Sequence, residues 1–128
     1  MNKTYISIGI VLCGLSVILG AFGAHALKSV LTPERLDSFE TGVRYQLYIG
    51  IIILIFNTSR LIEYVDLNAI NKLLVLGCVL FSGSIYLLAL QDFIGISFKF
   101  LGPITPLGGL LIISSFVVMM IKLKKSKF

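Results

Sequence analysis

The chain has 128 residues, of which 57% are hydrophobic and only 13% are charged, and its net charge is +5. This length limits it to a single domain, residues 1–128, and its charged fraction lies far below the roughly 25% of soluble domains. A water-soluble globular protein is therefore excluded. The basic C-terminal tail, with Lys122, Lys124, Lys125 and Lys127, favours contact with membrane lipids and not with nucleic acid.

Four apolar runs lie at about residues 5–27, 43–62, 70–90 and 103–123. A helix needs about 20 such residues to cross the hydrocarbon core. Because lipid offers no hydrogen-bond partners to an open strand, the sequence predicts an all-α fold, a membrane four-helix bundle. Ala24-His25-Ala26 also fits the outline of a signal-peptide cleavage site, but the length of the first run favours a retained span.

The connections between the runs carry helix-start signals. Thr32 is a good N-cap, and Pro33 followed by an acid suits the first helical turn. We therefore expect a short interfacial helix between spans 1 and 2, from Pro33 to about Gly42, which continues or kinks into the second span. Residues 93–101 are apolar but interrupted by glycine and lysine, which predicts a re-entrant or extended segment before a helix that starts near Pro106.

An even number of spans places both termini on one side of the membrane. That side would hold seven basic residues, namely Lys3, Arg60, Lys72, Lys122, Lys124, Lys125 and Lys127. The opposite side would hold four, namely Lys28, Arg35, Arg44 and Lys99. Since cytoplasmic loops carry the excess of basic residues, we expect cytoplasmic termini.

Antiparallel spans bring the end of the first, the start of the second and the start of the fourth to one membrane face. Polar side chains concentrate there, and the candidate polar or ligand cluster is His25, Glu40, Arg44, Gln46 and Thr105. His25 could relay a proton or simply bond a carbonyl. Glu40 and Arg44 stand at i, i+4 and could pair, either as structural glue or as part of a functional site.

Small residues in the spans predict close helix packing. Ser16, Gly20 and Ala24 recur every four residues, the spacing that lets membrane helices approach closely. The further candidates for helix packing are Ser82, Gly83, Gly108 and Gly109. The alternative is that glycines in the first span make room for a ligand.

No constellation of residues indicates an enzyme. Cys13 and Cys78 lie singly in apolar runs, so no metal site is expected. No catalytic triad, phosphate loop or pair of intramembrane carboxylates occurs in the sequence. We therefore expect no catalytic residues and no cofactor.

Four segments carry a family resemblance: GAFGAHAL at residues 20–27, FETGVRYQLY at 39–48, LFSGSIYLLAL at 80–90 and LGPITPLGG at 101–109. Together they resemble the bacterial membrane family called domain of unknown function 423, or uncharacterised protein family 0382. The resemblance implies a multi-pass protein of the bacterial inner membrane with four helices, and it carries no assigned activity. Members of that family often have histidine where this chain has Ile49.

Two functions remain open from the sequence. The first is an interaction or assembly component of the cell membrane, either as a homo-oligomer or within a larger membrane complex. The alternative is an oligomeric small-molecule or ion transporter whose polar site lies at one membrane face. A transporter requires charged residues around a water-filled cavity, whereas an assembly protein would close its polar groups by internal hydrogen bonds.

Overall fold

The computed structural model describes residues 2–128, which form helices joined by short turns, with no strand in that range. The α-helices are α1 (Lys3–His25), α2 (Pro33–Thr58), α3 (Leu61–Tyr64), α4 (Asn68–Cys78), α5 (Ser84–Ile94) and α6 (Ile104–Lys125). Two 3₁₀ turns, Leu27–Ser29 and Lys99–Leu101, lie in the first and third loops. A π-helical segment, Val79–Gly83, joins α4 to α5.

Local chemistry fixes where several helices begin and end. The Asn2 side chain caps α1 by accepting a hydrogen bond from the Thr4 backbone N–H at 3.1 Å. The Thr32 hydroxyl caps α2 by accepting from the Arg35 N–H at 3.2 Å, with Pro33 in the first turn. α5 ends at Ile94 and is capped by Gly95, whose φ of +84° lies in the left-handed region that favours glycine.

The four predicted spans are confirmed as four helical stretches that are long and apolar enough to cross a membrane. The stretches are Lys3–Ser29, Pro33–Thr58, Asn68–Ile94 and Lys99–Lys125. The predicted interfacial helix forms the first turns of α2, which runs without interruption past Gly42 to Thr58. The third stretch continues from Asn68 through the π segment to Ile94. In the third loop α6 begins at Ile104, two residues before Pro106.

α2 and the third span, α4–π–α5, form the centre of the bundle. α1 packs mainly on α2, and α6 packs mainly on α4 and the π segment. One apolar cluster, which includes Ile53, Ile70 and Leu74, fills the half of the bundle near the second loop. A smaller cluster of Leu27, Phe39 and Ala89 fills the other end.

Glycines allow close contacts between helices. A Cβ atom on Gly9 of α1 would lie 3.0 Å from the carbonyl oxygen of Gly50 on α2. A Cβ atom on Gly77 of α4 would lie 3.0 Å from the carbonyl oxygen of Gly108 on α6. Each distance is tighter than an ordinary Cβ contact, so both helix pairs approach at a separation that larger residues would prevent.

The C-terminus and the second loop meet at one end of the bundle. The Tyr64 and Phe128 rings lie 5.3 Å apart, edge to face. The Lys122 ammonium donates a hydrogen bond to the Asp66 carbonyl oxygen at 2.8 Å. The first and third loops lie at the opposite end, where α1 and α5 finish and α2 and α6 start.

Candidate functional site

The interior of the bundle contains a polar network centred on Gln46. This side chain is buried on α2, and its amide nitrogen donates to the Leu12 carbonyl oxygen of α1 at 3.0 Å. The Tyr86 hydroxyl of α5 donates to the Gln46 amide oxygen at 2.6 Å. Gln46 therefore joins three helices, with both ends of its amide bonded.

Two serines of the third span make further polar contacts between helices. The buried Ser82 hydroxyl donates to the Gly42 carbonyl oxygen on α2 at 2.8 Å. The Ser84 and Thr105 hydroxyls are hydrogen-bonded at 2.5 Å and so join α5 to the start of α6. We call Gln46, Ser82, Ser84, Tyr86 and Thr105 the interior network.

A second polar contact, the amide pair, lies near the second loop. Asn57 of α2 and Asn71 of α4 are 0% and 1% exposed. Each donates a hydrogen bond to the other's amide oxygen at 2.9 Å. Asn57 uses its remaining N–H to donate to the Ile53 carbonyl oxygen at 2.8 Å. The amide pair thus holds together the two central helices next to the loop that connects them.

Three residues of the predicted polar cluster lie on the surface. His25 is exposed at the last residue of α1. Arg44 is exposed and donates to the Thr41 hydroxyl at 3.0 Å. Glu40 is partly exposed, and among residues 2–128 the salt bridge that forms is Arg35–Asp92 and not Glu40–Arg44. The structure therefore brings Gln46 and Thr105 into the interior network but leaves the other three outside it.

Of the predicted packing residues, some lie at helix contacts and others do not. Ser16 is buried and donates to the Leu12 carbonyl oxygen at 2.8 Å, whereas Ala24 is exposed. A Cβ atom on Gly20 would lie 3.5 Å from Val43 Cγ1, an ordinary contact, and one on Gly83 would meet no atom within 4 Å.

Gly108 and Gly109 both face Phe81 of the π segment but differ in what they touch. A Cβ atom on Gly108 would lie 2.8 Å from Phe81 Cα, which is backbone. One on Gly109 would lie 3.6 Å from the Phe81 ring. Gly108 is therefore the residue that sets the close approach of α6.

Several polar contacts were not predicted from the sequence. The Arg35 guanidinium, at the start of α2, donates to the Leu88 carbonyl oxygen of α5 at 2.8 Å and lies 3.3 Å from the Asp92 carboxylate. The pairing of Asn57 with Asn71 was not predicted either, although an amide in an apolar run itself indicates a partner within the bundle. No local signal pairs Arg35 with Asp92, since the two are far apart in sequence.

The interior network and the amide pair hold the helices together. In the described part of the chain, every buried side-chain nitrogen and oxygen atom has a hydrogen-bond partner. No three His, Cys, Asp or Glu side chains among residues 2–128 could share a metal ion. A surface cavity lined by Arg35, Gln91 and Asp92 lies at the end of the bundle formed by the first and third loops.

Replacing Tyr86 with Phe removes the donor to Gln46 and keeps the ring. We expect the free energy of unfolding to fall by about 1 kcal/mol, the scale of an interhelical hydrogen bond in a membrane protein. Equilibrium unfolding in mixed micelles measures the change. Tyr48→Phe is the matched control, because Tyr48 is exposed on the same helix as Gln46. Equal stability of the two variants would contradict the role of the interior network.

The helical fold and its four apolar stretches define the class of protein: a small, all-helical membrane protein with four spans. Residues 19–109 match the family described as protein of unknown function DUF423. The chain belongs to this family, as the four sequence segments predicted.

The relatives cover nearly the whole chain. A UPF0382 membrane protein of Staphylococcus haemolyticus is 38% identical over 119 residues, 93% of each chain. The UPF0382 membrane protein YwdK of Bacillus subtilis is 35% identical over 121 residues, 93% of this chain and 94% of its own. A UPF0382 membrane protein of Staphylococcus saprophyticus is 34% identical over 119 residues, 93% of this chain and 95% of its own. No solved structure matches the chain.

Proposed function

We propose that this protein is a non-enzymatic interaction or assembly component of the bacterial cell membrane. The observation that carries the proposal is that the polar side chains in the interior of the bundle are hydrogen-bonded to one another or to the backbone. Gln46 has both ends of its amide bonded, and the amide pair satisfies itself and one backbone carbonyl. A transported solute would need polar groups that exchange partners along a water-filled path. The single chain offers bonded pairs instead.

The outward faces of the bundle also support an interaction role. The first membrane-spanning stretch, Lys3–Ser29, has only 17% of its apolar segment buried within the chain, against 33% for the second and third stretches. Ser7, Gly14 and Ala21 are exposed on α1 at seven-residue spacing, and a Cβ atom on Gly14 would meet nothing within 4 Å. Small residues on a lipid-facing surface permit the approach of another membrane helix.

The test is the composition of the complex in its own membrane. The tagged full-length protein is extracted into native nanodiscs with its surrounding lipid and weighed by native mass spectrometry. We expect a mass above that of one 14.0 kDa chain, from a second copy or another membrane protein in fixed ratio. Gly14→Leu should reduce that species, while Ser114→Leu, on the exposed face of α6, serves as the matched control.

A different result would favour the transporter. If the protein is monomeric in native nanodiscs and supports solute or ion flux in proteoliposomes, the assembly role is wrong. Circular dichroism of each variant checks that the helices are intact, so that loss of the complex is not confused with loss of the fold.

We also propose that the protein lies in the inner membrane with both termini on the cytoplasmic side. The balance of seven basic residues against four supports this orientation. A C-terminal green fluorescent protein fusion should fluoresce, and a C-terminal alkaline phosphatase fusion should be inactive. Changing Lys122, Lys124, Lys125 and Lys127 to Gln leaves three basic residues on the terminal side against four opposite. We expect mixed or inverted topology for that variant, and an active phosphatase fusion of the unaltered chain would contradict the orientation.

A further inference from the structure

Arg35 lies where three surface cavities meet, at the end of the bundle formed by the first and third loops. One cavity, of about 470 Å³, is lined by Arg35, Gln91, Asp92, Ser97 and Lys99 among others. A second, of about 340 Å³, extends from Arg35 towards Val30 and Phe93. A third, of about 370 Å³, runs between α2, α5 and the start of α6. We call the three together the Arg35 groove.

The groove is polar at its mouth and more apolar inside. The third cavity is lined by Ile85, Leu88 and Ala89 of α5, with Ser38 of α2 opposite. Ile85 precedes Asp92 by seven residues, which corresponds to about 10 Å along a helix. The groove therefore has charged residues at one end and a mostly apolar surface along α5 at the other.

The net charge of the residues at the mouth is positive by one unit, which complements a ligand with one negative charge. Arg35 and Lys99 contribute two positive charges, and Asp92 contributes one negative charge. Arg35 is committed to the Leu88 carbonyl and the Asp92 carboxylate, but its guanidinium has further N–H donors. The Lys99 ammonium takes part in no salt bridge within residues 2–128. Donors for an anion therefore remain available beside a carboxylate that can accept from hydroxyl groups.

Apolar side chains surround this mouth on the third loop. Phe93, Ile96 and Phe100 are 63%, 56% and 71% exposed. In water such side chains would be costly, but at the boundary between headgroups and acyl chains they are favourable. These exposed apolar side chains therefore favour a position of the mouth at headgroup depth.

We propose that the Arg35 groove binds one phosphatidylglycerol molecule. Lys99 and the free donors of Arg35 would bind its phosphodiester, Asp92 would accept hydrogen bonds from its glycerol hydroxyls, and one acyl chain would lie in the cavity beside Ile85 and Leu88. The single negative charge of this headgroup matches the net positive charge of the mouth, which a zwitterionic headgroup does not. This inference is independent of the assembly role.

The test is a lipid titration of the full-length protein in detergent, followed by native mass spectrometry. We expect phosphatidylglycerol to bind as one tight adduct and phosphatidylethanolamine to bind more weakly. Lys99→Gln should weaken phosphatidylglycerol binding about fivefold, the factor expected for one basic residue near an anionic headgroup. Lys28→Gln is the matched control, because Lys28 is an exposed basic residue of the first loop that does not line the groove.

Three results would overturn the proposal. Equal binding of the two lipids by the unaltered protein would remove the match between headgroup and mouth. Equal weakening by Lys99→Gln and Lys28→Gln would show attraction to overall surface charge. Displacement of the bound lipid by millimolar inorganic phosphate would show a site for a free anion. Arg35 is not used as the test residue, since its bond to the Leu88 carbonyl makes it part of the fold.

Discussion

Gly108→Ala is expected to lower the free energy of unfolding by about 3 kcal/mol, the upper part of the range for overpacking a close contact. The added methyl group would lie 2.8 Å from Phe81 Cα and 2.9 Å from the Gly77 carbonyl oxygen. Both are backbone atoms, so no side-chain rotation can relieve the contact. α6 would have to move away from the third span along its main packing surface.

The neighbouring residue supplies a matched control. Gly109→Ala adds the same methyl group to the same helix, but that methyl would lie 3.6 Å from the Phe81 ring, an ordinary contact. Because alanine favours a helix over glycine by up to about 1 kcal/mol, Gly109→Ala should be neutral or stabilising. Unfolding in mixed micelles compares the two variants. Equal stability of both would mean that α6 does not approach the Phe81 backbone as closely as described.

The closeness of α6 depends on the π segment, which the sequence did not predict. A single widened turn inside a long apolar run leaves the hydrophobic pattern almost unchanged, so composition and periodicity do not reveal it. The four spans themselves were predictable because each needs only a run of about 20 apolar residues. The start of α2 was predictable because Thr32 and Pro33 are local signals.

Helix faces were harder to predict than helix positions. Ser16, Gly20 and Ala24 recur every four residues, and each step of four turns the direction of the side chain by about 40°. Ser16 is buried against the bundle. Ala24, two steps of four residues later, points away from α2 and is exposed. The residues that remain buried on α1 are Gly9, Ser16 and Gly23, since seven residues return the side chain to within about 20°. The seven-residue pattern was present in the sequence and is the better guide to this interface.

The candidate polar site required tertiary structure. Antiparallel spans place His25, Arg44 and Thr105 towards one end, but only packing decides which side chains face inward. Gln46 bonds Tyr86 across the interface between α2 and α5, and Arg35 bonds Leu88 across the same interface. Such pairs depend on the rotation of one helix against another, which a single sequence does not specify.

The amide pair gives the other large expected effect. Asn57→Leu should lower the free energy of unfolding by about 2–3 kcal/mol, because Asn71 would keep a buried amide whose N–H and C=O had lost their partner. Asn71→Leu should cost a similar amount for the same reason. Asn68→Leu is the control, since Asn68 is exposed at the first residue of α4, and surface changes usually stay within about 0.5 kcal/mol.

The double variant separates a hydrogen-bonded pair from two independent packing positions. With both amides replaced by leucine, no buried polar group is left unpaired, so we expect the double variant to be more stable than either single variant. The coupling free energy from unfolding of all four proteins should be about 1–3 kcal/mol. Additive losses would mean that each asparagine contributes through its own surroundings, and the contact between α2 and α4 would then rest on the apolar cluster around Ile53 and Ile70.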